Sequence, residues 1–148
     1  MKIDISEASK NKGEAYAFTV SGKLDDGVIH YLNGRFVGDV VLEGECVAID
    51  RVIEVDGVIK FRVACNCDLC NVPMEKDFVL DFSEDFHFGE AAYGEYAYKG
   101  NTVELDKAVE DAIMLELPRA VYCSPDCKGV CHKCGKNLNE GDCGCKND

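Results

Sequence analysis

Residues 45–63 read ECVAIDRVIEVDGVIKFRV, and the two β-branched runs in this stretch decide the class of fold. Val47, Ile49, Val52, Ile53 and Val55 lead to Asp56-Gly57, and Val58, Ile59, Phe61 and Val63 follow. Branched side chains suit an extended, half-buried backbone, and an Asp-Gly pair accepts the left-handed angles of a tight turn. The stretch therefore predicts a β-hairpin that reverses at Asp56-Gly57.

Working outward, Glu75 to Phe82 alternates with period two: Lys76, Phe78, Leu80 and Phe82 against Asp77, Val79 and Asp81. That pattern predicts a half-buried strand with one aromatic and one partly acidic face. Upstream, Ala15, Ala17, Phe18 and Val20 within Gly13–Lys23 fit a strand better than a helix. Ser83 to Gly100 carries four acids, three glycines and three tyrosines without a sustained period, and reads as a loop. Leu105, Ala108, Val109, Ala112, Ile113 and Leu117 recur at helical spacing up to Pro118, predicting one principal helix over Val103–Leu117 with Asn101 or Thr102 nearby as caps.

Beyond Pro118 the composition changes. Tyr122 to Asp148 holds six cysteines, four glycines and only two aliphatics, Val130 and Leu138, so it cannot build a hydrophobic core and needs a metal or a disulfide to hold a shape. The expected architecture is α+β: an antiparallel β-sheet with one principal helix and a zinc-stabilised cysteine-rich C-terminal tail. Residues 1–122 would form the β-rich domain and 123–148 a zinc-binding tail packed on it.

The whole chain has 148 residues and a formal charge of -12. Its length suits one domain, and its apolar runs are far too short to cross a bilayer. The amino terminus MKIDISEASKNKGEAYAF has no apolar run behind its lysine, so no secretory signal is legible and a cytoplasmic location is expected. Ten cysteines in a reducing compartment point to metal rather than to disulfides. The acidity disfavours tight nonspecific binding to phosphate backbones, since the richest basic stretch holds only Lys128, Lys133 and Lys136. Eight zinc-bound thiolates and two Zn2+ would take the charge from -12 to about -16, so a basic protein is the natural partner.

Two residues between cysteines let the backbone fold back so that both sulfurs face one tetrahedral ion. Cys67-Asp-Leu-Cys70 and Cys131-His-Lys-Cys134 are such pairs, and Gly135 after the second suits the tight turn of a zinc knuckle. Cys143-Gly-Cys145 would complete Cys131 and Cys134 as one four-thiolate site. Cys123 and Cys127 would complete Cys67 and Cys70 as another, although spacing alone does not determine which distant pair joins them. Cys65 could replace a ligand in one site and His132 could intrude in the other. Cys46 and Cys65 otherwise read as buried free thiols acting as small hydrophobes. The spacings match neither common ferredoxin pattern, and four thiolates leave no open position for a catalytic zinc.

The strand leading into Cys67-Asp-Leu-Cys70, the acidic middle, the helix ending in Leu117-Pro118 and the run Cys123-Ser-Pro-Asp-Cys127-Lys-Gly-Val-Cys131-His-Lys-Cys134-Gly-Lys-Asn-Leu-Asn-Glu resemble the YceD family. The likeness covers most of the chain in order, and Asp-Cys-Lys-Gly-Val-Cys-x-x-Cys-Gly-x-Asn-Leu-Asn is its specific signature. The resemblance implies a role in the accumulation of large-subunit (23S) ribosomal RNA, in ribosome assembly or its regulation. Some relatives keep the first Cys-x-x-Cys without much of the tail cluster. Nothing in the likeness extends to Cys46 or Cys65.

Three functions compete on the residues. The first is a non-catalytic factor whose acidic surface holds a basic ribosomal protein or a pre-ribosomal particle, against the plain reading that the charge only keeps the chain soluble. A second is direct RNA binding through the tail knuckle, with Lys128, Lys133, Lys136 and Asn137 on phosphates and Tyr93, Tyr96 or Tyr98 stacking bases. The third is a thiol oxidoreductase using Cys67 and Cys70; there a strand precedes the motif, and Asp68 inside it would raise the thiol pKa. His30, His87 and His132 are scattered, Ser83, Glu84, Asp85 and Glu90 beside His87 read as a solvated loop rather than a cation site, and no active site can be named.

Overall fold

The computed structural model describes residues 1–145, so the last three residues of the expected tail, 146–148, lie outside the described residues. The chain begins with strand β1 (Lys2–Asp4), a short helix α1 (Ser6–Lys10), β2 (Ala15–Gly22) and a 3-10 helix (Asp26–Leu32). Strands β3 (Arg35–Phe36), β4 (Val40–Ile49), β5 (Val52–Asn66), β6 (Pro73–Phe88), β7 (Tyr96–Tyr98) and β8 (Thr102–Glu104) follow, then helix α2 (Asp106–Glu116) and a 3-10 turn (Leu138–Glu140). The main sheet runs in the order β2-β4-β5-β6-β7, with β3 beside β5, while β1 and β8 pair separately. Every pairing in it is antiparallel except β6 with β7, so the expected antiparallel sheet is mostly, not wholly, so.

The hairpin exists, but its turn is not where the sequence places it. Ile49 pairs with Val52, so the chain reverses at Asp50-Arg51, and Asp50 takes the left-handed φ of +53° that aspartate tolerates. Asp56-Gly57 lies inside β5, which runs unbroken for 15 residues. The earlier turn lets Ile53, Val55, Ile59, Phe61, Val63 and Cys65 share one buried face of that single strand. A reversal at Asp56-Gly57 would have cut this face in two.

The segment read as a loop is also partly strand. Ser83–Phe88 extends β6, because Val52–Asp56 offers it an open backbone edge to pair with, and β7 continues the sheet at Tyr96. Helix α2 starts later than the periodicity suggests, since Thr102–Glu104 is drawn into pairing with Lys2–Asp4. Leu105 then stands at the cap position without a side-chain bond, and Leu117 leaves the helix extended ahead of Pro118. Asn101 and Thr102 therefore do not cap it.

The core lies between one face of the sheet and the helical elements. Leu42, Cys46, Val55, Ile59, Val63, Phe82 and Phe86 meet Ile29 of the 3-10 helix and Ala108, Val109 and Ile113 of α2. Among the described residues no polar or charged residue is buried as a whole, so burial of apolar area supplies most of the stability; the Tyr31 hydroxyl is the one buried side-chain polar atom there without a hydrogen-bond partner. This packing holds α2 against β6 and directs the chain leaving Pro118 back toward the far end of the β5–β6 hairpin.

Candidate metal centres

The turn of the longest hairpin is the first Cys-x-x-Cys. Strand β5 ends at Asn66, β6 begins opposite it at Pro73, and Cys67 to Val72 makes the reversal. The Cys67 amide donates to the Val72 carbonyl at 2.9 Å, and the Asn71 amide donates to the Cys67 carbonyl at 2.9 Å. Asn71 holds a φ of +62°, a conformation that asparagine reaches more readily than most residues. The Asp68 amide donates to the Val121 carbonyl at 2.9 Å, which brings the segment after Pro118 alongside the turn.

Cys123 and Cys127 arrive by that route. The Sγ atoms of Cys67 and Cys127 lie 3.6 Å apart, as do those of Cys70 and Cys123, and all four lie within 4.8 Å of one another. Sulfurs bound tetrahedrally to one zinc at about 2.3 Å stand about 3.8 Å apart. A disulfide would draw a pair to about 2.05 Å. The spacing therefore suits a shared ion and not a bridge.

The second group repeats the first in its backbone. The Cys131 amide donates to the Lys136 carbonyl at 2.9 Å, the Gly135 amide donates to the Cys131 carbonyl at 2.8 Å, and Gly135 has a φ of +74°. Position for position this is the turn at Cys67, with glycine where the first has Asn71. The turn at Gly144, φ +77°, carries Cys143 and Cys145 back, and these sulfurs join those of Cys131 and Cys134 within 4.8 Å of one another.

Burial opposes ionisation of Cys67, but amide donors from Cys70, Cys123 and Leu69 outweigh it and bring the thiol down to about 6. Asp68 does not prevent this, contrary to the sequence expectation. Cys131 is likewise brought down to about 6 by the amides of Cys134 and Lys133. Cys123 is pushed up to about 12, first by sharing a hydrogen with Cys70, and Cys145 to about 12 by sharing one with Cys134. Cys67 and Cys131 are thus primed as thiolates, while Cys70 and Cys123 in the first group and Cys143 and Cys145 in the second resist ionisation. A cation at the centre would remove that resistance, so both groups of four could hold a metal ion.

The two groups differ in exposure. Cys67 and Cys70 are 2% and 6% exposed, whereas Cys134 lies open to solvent. Cys46 and Cys65 belong to neither group and sit on the core face of the sheet, opposite Val55 and Met74. His132 joins neither group.

A residue that the spacing of cysteines does not single out is Asn139. Its side-chain amide donates to Cys127 Sγ at 3.3 Å, and its carbonyl oxygen accepts the Lys128 amide at 2.8 Å. Asn139 is the main reason the Cys127 thiol lies below its ordinary range. Its only signal in the sequence is membership of the Asn-Leu-Asn run, where Asn137 caps the 3-10 turn by accepting the Asn139 amide at 2.9 Å.

The other constellations do not assemble. Alternation along β6 sends Ser83, Asp85 and His87 to the outer face and Glu84 inward, and Ser83 donates to Asp56 at 2.6 Å. Tyr96 donates to Asp111 at 2.7 Å, and Tyr98 packs edge-on against Phe88, so of the three tyrosines only Tyr93 presents an unpacked ring. Lys136 Nζ donates to the Asp142 carbonyl at 3.1 Å. A groove of 730 Å³ lined by Tyr31, Met114, Leu115, Leu117, Pro118 and Arg119 is mainly apolar and brings together no nucleophile and base.

Comparison with known proteins agrees with the cysteine signature. A family model described as large ribosomal RNA subunit accumulation protein YceD matches residues 55–148. The chain is 34% identical over 74 residues to the large ribosomal RNA subunit accumulation protein YCED homolog 1, chloroplastic, of Zea mays, which covers 49% of this chain and 22% of that protein. The Arabidopsis thaliana protein of the same name is 30% identical over 69 residues, 47% of this chain and 19% of that one. An uncharacterized protein of Mycobacterium tuberculosis is 26% identical over 98 residues, 62% of this chain and 47% of that one. The chain thus spans less than half the length of these curated relatives. No solved structure matches.

Proposed function

The chain belongs to the YceD family, and on that premise we propose that it is a non-catalytic factor in the accumulation of large-subunit (23S) ribosomal RNA. In this reading it acts by holding a basic ribosomal protein, free or on a pre-ribosomal particle. One Zn2+ at Cys67, Cys70, Cys123 and Cys127 and another at Cys131, Cys134, Cys143 and Cys145 keep the tail folded on the sheet.

The observation that carries the reading is the outer face of the sheet. Glu45 stands opposite Asp56, and Glu54 opposite Asp85, while Glu43, Glu75, Asp77 and Asp81 lie on the same face. Lys60 and Arg62 answer Glu43, Asp77 and Glu75, which leaves the two like-charge pairs without an ion-pair partner among the described residues. Like charges directly opposite destabilise a sheet, so the arrangement works against folding and in favour of a cationic partner. Among the described residues all ten cysteines are free thiols. No helix is long and apolar enough to cross a membrane.

Capture of the tagged chain from its own cells at moderate salt tests the reading. Large-subunit ribosomal proteins or precursor particles should be recovered, and recovery should fall when Glu45, Glu54 and Asp85 are replaced by their amides. Capture that yields no ribosomal component would overturn it.

A further inference from the structure

The path of the chain between the two groups of sulfurs forms a closed loop. Leaving Cys127, the backbone passes Gly129, where an added Cβ would stand 3.3 Å from the Leu69 carbonyl oxygen, so this segment lies against the first knuckle. It reaches Cys131, turns through the second knuckle and comes back beside itself: Val130 bridges to Asn137, and the Leu138 amide donates to the Gly129 carbonyl at 2.8 Å. The loop then closes on the residue where it began, through the Asn139 amide on Cys127 Sγ at 3.3 Å and the Lys128 amide on Asn139 Oδ1 at 2.8 Å. One end of the loop is held by Cys131 and Cys134 of the second group and the other by a sulfur of the first.

We infer that Asn139 couples the two centres, so that an ion held by Cys131, Cys134, Cys143 and Cys145 strengthens the grip of Cys67, Cys70, Cys123 and Cys127 on theirs. The inference rests on the metal reading above. An ion in the tail centre holds the returning strand in register and keeps Asn139 seated on Cys127. Seated there, the amide donates to a lone pair of the thiolate that the ion does not use and fixes the direction in which Cys127 points. Without the tail ion the returning segment is held by two backbone bonds, Cys131 amide to Lys136 carbonyl and Leu138 amide to Gly129 carbonyl, and the donor to Cys127 is free to leave. Coupling of this kind is reciprocal: filling the buried centre also favours filling the exposed one. Asn139 is thus a positioning residue that touches one centre while belonging by sequence to the other.

The test uses the full chain loaded with 113Cd2+, whose resonances report each four-sulfur site separately, with affinities from competition against a chelator. Two bound equivalents and two resonances are expected, and Cys143→Ser, which cripples the tail centre, assigns them. Asn139→Ala should shift the first-centre resonance and weaken that centre about tenfold while the tail resonance persists. Cys143→Ser should also weaken the first centre, and adding Asn139→Ala to it should cost much less than in the intact chain. First-centre resonance and affinity untouched by either substitution, with two equivalents still bound, would overturn the coupling and leave the metal reading standing. Fully additive effects would overturn it equally. A chain that takes up no metal would sink both.

Discussion

Gly44 on β4 stands directly opposite Gly57 on β5, with Phe18 across from the first and Phe82 across from the second. An added Cβ on Gly57 would run into the Glu43 carbonyl oxygen and come within 2.8 Å of Gly44 Cα, and one on Gly44 would run into the Asp56 carbonyl oxygen. The two backbones approach more closely than side chains allow, and the flanking rings cover the bare row. Gly57→Ala should therefore lower stability by about 2–3 kcal/mol in chemical denaturation. Gly22→Ala, whose Cβ would meet the flexible Met1 side chain, should change it far less.

The outer face yields a prediction of opposite sign. Replacing Glu54 or Asp85 by its amide removes one of two like charges that face each other across β5 and β6, and should raise the unfolding midpoint at low salt. The gain should shrink as added salt screens the pair. If the same substitutions weaken capture of ribosomal components, stability and partner binding pull against each other at this face, as the proposed function requires.

Metal removal should act unequally on the two centres. Cys67 is buried and lies on the turn that joins sheet to tail, whereas Cys134 is exposed and ties the tail only to itself. Cys67→Ser and Cys134→Ser should each cost one equivalent of metal by elemental analysis. Hydrogen exchange should then show loss of protection reaching into the ends of β5 and β6 for the first, and confined to the region beyond Cys127 for the second.

Asp111 accepts hydrogen bonds from Tyr96 at 2.7 Å and from Lys107 at 2.8 Å. Burial opposes its ionisation, but the two donors prevail and hold its carboxyl below the usual range. A carboxyl depressed in the folded state contributes stability that is present above its unfolded pKa of about 3.9 and is lost as pH falls through the folded value. Asp111→Asn should therefore be less stable than the parent at neutral pH, and the two midpoints should converge in acid. Tyr96→Phe should cost about 1 kcal/mol at neutral pH.

Cys46 is 3% exposed on the core face, and burial pushes its thiol up. It should resist thiol reagents until the chain unfolds. Cys46→Ser should destabilise by about 1–3 kcal/mol, because the hydroxyl would be buried without a partner, and metal content should not change.

The misread turn shows what local signals leave out. Asp56-Gly57 has the composition of a reversal, yet its glycine is there for the Gly44 backbone beside it, a requirement set by a neighbouring strand and invisible along the chain. The same holds for Ser83–Phe88, whose mixed composition becomes strand because Val52–Asp56 presents unpaired backbone groups. Thr102–Glu104 is drawn away from the helix by Lys2–Asp4 for the same reason. The alternation in Glu75–Phe82 and the periodicity up to Leu117 were legible because each element buries its own apolar face.

The residues alone determined that this chain would be a β-rich fold with a tail too poor in aliphatics to hold itself, and that two Cys-x-x-Cys turns would form, since each depends on neighbours within six positions. Which distant cysteines meet Cys67 and Cys70, and that Asn139 reaches Cys127, were decided only by the tertiary structure. Packing of α2 against β6 sets where the chain emerges after Pro118, and a backbone bond from Asp68 to Val121 aligns it with the turn. Contacts between segments more than fifty residues apart follow from that packing geometry, which no spacing of residue types encodes.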